Sequence, residues 1–145
     1  MEGMSIIVKK STQVLVGIIL LYGIYIILHG HLSPGGGFAG GVIVAGAFIL
    51  LILANGSKTL NLKKEAAGSS NTESLAILMV VVLATMAMLI GAKVFFFNFL
   101  PKGEPGDLLS AGVIPLYNIF IGVEVAGAIL TIFLALVIFK EESSS

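Results

Sequence analysis

The chain has 145 residues, 57% of them hydrophobic and 11% charged, and its mean hydropathy is +1.10. Soluble domains carry about 25% charged residues, so this chain has too little polar surface to coat a water-soluble globule. Eight lysines and no arginine balance eight carboxylates without forming a basic stripe, which leaves no footing for nucleic acid, and the lack of cysteine excludes disulfides and Cys-held redox or zinc centres.

The apolar content is divided into long uncharged runs, the mark of membrane spans. The first covers 11–28, about 27 Å as a helix, just enough for a bilayer core. Lys9 and Lys10 precede it, but no small-x-small cleavage site followed by polar sequence appears, so this span is expected to be retained. His29-Gly30-His31-Leu32-Ser33-Pro34-Gly35-Gly36-Gly37 closes it, a tight connection built from helix breakers. A second run covers 38–54. The stretch 55–74, with Lys58, Lys63, Lys64 and Glu65, reads as an exposed polar loop. The third run, 75–100, is interrupted only by Lys93 and ends in the turn-rich 101–107. The fourth, 112–139, has Pro115 near its start and Glu124 inside, and a short polar tail follows.

The expected fold is all-α: one membrane domain over 1–145, an integral four-helix transmembrane bundle in contact with the lipid bilayer. Lys9, Lys10, Lys58, Lys63, Lys64 and Lys140 fall on one side and Lys102 on the other. The positive-inside rule then places both termini in the cytoplasm of a multi-pass protein of the cell membrane, with 29–37 and 101–107 outside.

Five residues could handle ions. Glu124 lies nine residues past Pro115, roughly 14 Å into its helix and near the bilayer centre. A carboxylate there costs several kcal/mol unless it is protonated, paired or hydrated, so it reads either as a proton- or cation-handling group or as a paired structural glutamate. Lys93, roughly 12 Å before the outer end of the third run, would lie at similar depth. It could pair with Glu124, snorkel outward, face another subunit or lose its proton in a relay. Asn118 could bond across helices or line a path to the carboxylate. His29 and His31 suit carbonyl contacts at a helix end or titration near an entry path better than a metal, for which no third ligand is near. Gly35, Gly37 and Gly40 fit G-x-G-x-x-G, but no strand precedes them and no acidic partner follows, so the dinucleotide reading fails. Spacing by four in Gly37, Gly41 and Ala45, and in Gly36 and Gly40, suits close helix packing, and amides at that helix start could attract an anion. Nothing in the pattern forms a catalytic constellation.

The segment His29-Gly30-His31-Leu32-Ser33-Pro34-Gly35-Gly36-Gly37-Phe38-x-Gly40-Gly41 resembles the signature of the MnhB/MrpB family, small subunits of Mrp-type cation/proton antiporters. Pro115-Leu116-Tyr117-Asn118 resembles the family's last span. The resemblance covers nearly the whole chain and implies a non-catalytic subunit among complex-I-like, proton-pumping membrane partners, with Na+ as transported ion and no bound cofactor. It extends to the sodium-translocating modules of archaeal membrane-bound hydrogenases and sulfane reductases. It implies sensitivity at Pro34 and Phe38 and matches Lys93 to a lysine in the family's third span; Glu124 is not carried over and stands on its depth alone. The alternatives are a scaffold subunit that braces a complex without touching the ion, and an independent small transporter.

Overall fold

The computed structural model describes residues 3–56, 61–91, 93–108 and 110–143; Lys58, used above for orientation, lies outside them. It contains four helices, α1 (Ile6–Leu28), α2 (Gly36–Asn55), α3 (Leu62–Leu89) and α4 (Ile114–Ser143). Each is long and apolar enough to cross a membrane.

α1 starts well before the apolar run, because the Ser5 side chain accepts from the Val8 N–H and draws Lys9 and Lys10 into the helix. The Met4 N–H donates to the Ala54 carbonyl at 3.0 Å, tying the start of α1 to the end of α2. Glycine in the left-handed region at Gly35 (φ 129°) and Gly36 (φ 62°) turns the chain into α2.

α3 departs furthest from expectation. Most of the stretch expected to be a polar loop is helical: the Asn61 side chain accepts from the Lys64 N–H, Glu65 sits in the first turn, and the helix runs from Leu62 into the apolar run. At its other end it stops at Leu89. Gly91 takes φ 97°, and the described residues of 93–113 are not helical. Asn98 pins this excursion, its Nδ2 donating to the Ala111 carbonyl and its Oδ1 accepting from the Val113 N–H, both at 3.0 Å. Hydropathy misplaced both ends because it measures burial preference, whereas caps and left-handed residues set helix termini.

The helices form a curved row in the order α1, α2, α4, α3. α4 packs on both α2 and α3, α1 packs on α2, and α1 meets α4 only lightly. The bundle is thus open, with α1 and α3 at its edges. Its buried side chains are mostly small, such as Ala45, Ala47, Ala76, Ala84 and Ala87, as expected where helices associate by close approach rather than by hydrophobic exclusion from water. Leu62, Leu134 and Val137 form a cluster of larger buried residues at the end that carries both termini. Ile7, Leu21, Leu89 and Phe139 are among many large apolar residues left exposed, a surface suited to lipid or to neighbouring membrane chains.

Candidate functional site

At the loop end, the turn between α1 and α2 closes onto the start of α4. Asn118 is the junction. Its Oδ1 accepts from the Gly37 N–H at 3.3 Å, so a side chain from α4 caps α2, whose own N-cap residue Gly35 offers none. A Cβ built on Gly30 would sit 2.9 Å from Asn118 Nδ2, and one on Gly36 3.2 Å from its Oδ1. A Cβ on Gly37 would strike the Asn118 carbonyl oxygen. Further along α2, Gly41 lies against the Gly122 carbonyl and Val125, while Gly40 turns to α1, against Gly23 and Ile27. The glycines of α2 therefore face two different helices, Gly36, Gly37 and Gly41 turning to α4 and Gly40 to α1.

His29 stacks on Tyr25, with ring centroids 4.0 Å apart, and its Nδ1 meets the Tyr25 carbonyl at 3.0 Å, closing the end of α1. His31 Nε2 meets the Asp107 carbonyl at 3.4 Å and so bridges the two loops. Pro34 and Phe38 are exposed on the outer side of the turn. Among the described residues, the two buried side-chain atoms without a hydrogen-bond partner, His31 Nδ1 and Asn118 Nδ2, both belong to this junction.

Glu124 is half-buried, about 15 Å along α4 from Ile114. It lies one turn from Gly127, where α3 and α4 approach closely: a Cβ on Gly127 would be 3.1 Å from the Ser69 carbonyl and 3.3 Å from the Glu73 Cβ. One turn the other way, Ser69 Oγ and Thr131 Oγ1 are 2.8 Å apart, the latter also bonding the Gly127 carbonyl. A second carboxylate, Glu73, thus stands beside the middle of α4, within about a turn of the level of Glu124.

Sequence reasoning missed Ser69, Thr72 and Glu73 because it ended the third span at Leu75. A signal was available: Leu62, Ser69, Ala76 and Leu83, all buried, recur every seven residues across the polar–apolar boundary, as one helix face requires.

Lys93 is not beside Glu124. It follows the end of α3, exposed at the loop end of the molecule, and no Lys93–Glu124 ion pair forms; Lys63 pairs instead with Glu142 at 3.2 Å, on the surface at the other end. Gly91 breaks the helix before Lys93 can enter the span. The Lys93→Ala change should therefore shift stability by no more than about 0.5 kcal/mol in a denaturation titration, against several for a lysine buried in a span.

Residues 7–131 match the model of a family described as a domain related to the MnhB subunit of Na+/H+ antiporters. The chain belongs to the MnhB family. This MnhB-family chain is similar to an uncharacterized protein of Methanocaldococcus jannaschii, 36% identical over 115 residues that make up 75% of this chain and 43% of that protein. It is 44% identical over 56 residues to a Na+/H+ antiporter subunit of Bacillus subtilis, the match covering 39% of either chain. A chain of the membrane-bound sulfane sulfur reductase, an archaeal respiratory membrane complex, superposes with a TM-score of 0.72 at 31% identity, covering 89% of this chain and 56% of that one. The matched stretches span less than half the length of these curated relatives. Four apolar helices and the MnhB family together make this a multi-pass membrane protein.

Proposed function

We propose that this MnhB-family chain is a non-catalytic subunit of a multisubunit cation/proton antiport module, contributing to Na+ translocation and to assembly beside other membrane subunits. The observation that carries this reading is the α3·α4 seam, where Glu73 and the Ser69–Thr131 hydroxyl pair lie against the middle of the apolar α4, with Glu124 one turn from Gly127 on the same helix. Carboxylates and hydroxyls at that depth are hard-cation ligands and proton carriers, and they are costly to keep without such a use. Similarity to the sulfane reductase chain favours a redox-driven host complex over a stand-alone exchanger. Lys9, Lys10, Lys63, Lys64 and Lys140 lie at the end that carries the termini, against Lys93 and Lys102 at the other, which supports a cytoplasmic location of both termini in the cell membrane.

The test is sodium-dependent proton exchange in vesicles that contain the assembled complex. Glu124→Gln keeps the shape and removes the charge. Exchange should fall at least ~10-fold, a barrier change of about 1.4 kcal/mol, with assembly intact. Unchanged exchange would remove Glu124 from the mechanism.

A scaffold role is the second reading, favoured by the glycine contacts of α2 with α1 and α4. It expects loss of the complex when those contacts are filled, and normal exchange when Glu124 is neutralised.

A further inference from the structure

The concave side of the helix row holds a groove. It comprises an inner cavity of about 460 Å³ and an outer cavity of about 300 Å³. Phe48, Glu65 and Leu130 line both, so the two are continuous. The groove runs from Asn55, at the end that carries both termini, to Gly122 and Val123, level with the α2·α4 contact at Gly41. We propose that it is a water-filled inlet through which a hydrated monovalent cation enters the membrane from that end.

The walls differ. α1, α2 and α4 offer apolar surface, including Ile24, Ile27, Val44 and Phe48. The polar groups of the inner cavity, Glu65, Ser69 and Thr72, all come from α3. They recur at i, i+4 and i+7, which places them in one stripe down a single helix face. Depth is fixed by α4: Ser69 bonds Thr131 and backs onto Gly127, in the middle of an apolar helix. Lipid chains in the groove would set the Ser69 and Thr72 hydroxyls against hydrocarbon and close it over the Glu65 carboxylate, which is costly wherever a charge cannot reach water. Water removes that cost. At about 30 Å³ per molecule the inner cavity holds on the order of ten waters or more.

The polar stripe also favours one sign of charge. Among the described residues, Glu65 is the only charged one that lines either cavity. The Ser69 and Thr72 hydroxyls donate within α3, to the carbonyls of Ala66 and Gly68 or across to Thr131, and each oxygen keeps acceptor capacity for a cation or its water. The stripe ends at Thr72, next in sequence to Glu73 at the seam. The naming of a cation rests on the translocation reading above; the hydration of the groove does not.

The chain has no cysteine, so an introduced thiol is its only one. Gly68→Cys and Thr72→Cys place a thiol in the inner groove, and Gly68 has open space around its Cβ position, so that change adds no clash. Lys64→Cys serves as the water-exposed control, and Leu78→Cys, exposed on the apolar half of the same helix, as the lipid-depth control. Thiolates, which form in water and not in hydrocarbon, attack methanethiosulfonates, giving a mixed disulfide and releasing methanesulfinate. In the assembled complex in membrane vesicles, both groove thiols should react within ~10-fold of Lys64→Cys and at least ~100-fold faster than Leu78→Cys. A quaternary ammonium reagent should outpace a sulfonate reagent by ~10-fold at Thr72→Cys, and Glu65→Gln should bring that ratio near ~1. Groove thiols as inert as Leu78→Cys would mean that lipid or a neighbouring helix fills the groove, and would overturn the inlet. Fast labelling without charge preference would overturn the cation assignment. Charge-selective labelling alongside sodium-dependent exchange that survives Glu124→Gln would keep the inlet and sink Glu124's role in translocation.

Discussion

The Gly41→Leu substitution should abolish recovery of the folded, assembled protein, whereas Gly46→Leu, one and a half turns further along α2, should leave it intact. A Cβ on Gly41 would lie 2.6 Å from the Gly122 carbonyl oxygen and 2.9 Å from the Val125 Cβ, and around Gly46 nothing lies within 4 Å. At Gly41 the obstacle is backbone, which cannot swing away as a side-chain tip can, so α2 and α4 must separate. Overpacking of a fitted contact costs typically 1–3 kcal/mol, and separating two backbones should push the cost to about 3 kcal/mol or more. α4 holds α2 to α3, so the row would come apart at its centre. Recovery of assembled complex from membranes, measured for both variants, checks this. Equal recovery would mean that the α2·α4 contact is not a determinant of the fold.

Asn118→Leu should lower stability by about 2 kcal/mol in a thermal or detergent titration, from loss of the hydrogen bond to Gly37 and the orphaning of that N–H. The side chains are nearly isosteric, so a packing effect alone would be small. The distinguishing variant is Asn118→Asp. It keeps an acceptor at the N-terminus of α2 and adds a charge that the helix end favours. Most of the lost stability should return. If aspartate is as damaging as leucine, then what matters at this position is the Nδ2 group and its fit beside Gly30, rather than the cap.

These expectations share a physical basis with the groove. In lipid, helices gain little from burying apolar groups against one another, so contact depends on close backbone approach and on hydrogen bonds between helices. Gly41 and Asn118 supply these between α2 and α4; Gly127, Ser69 and Thr131 supply them between α3 and α4. The seam that holds α3 in place is also the one that carries Ser69, Thr131 and Glu73, so under the proposed function assembly and ion handling would draw on the same residues.

Composition and hydropathy determined by themselves that this is a four-span membrane chain, since uncharged runs of membrane length have no other stable setting. The turn from His29 to Gly41 was legible as well, because stacked glycine and proline leave few backbone conformations open. Counting from Pro115 puts Glu124 roughly 14 Å into its helix, and α4 carries it about 15 Å from Ile114. What only the tertiary structure decided is α3. Its polar first half looks like a loop in any hydropathy window, yet a capped helix start and a seven-residue contact pattern carry it alongside the middle of α4. Gly91 likewise removes Lys93 from the span, an effect set by one backbone dihedral and invisible to hydropathy. Hydropathy reports what a residue prefers to be near, and a neighbouring helix or a groove can satisfy that preference where lipid would not.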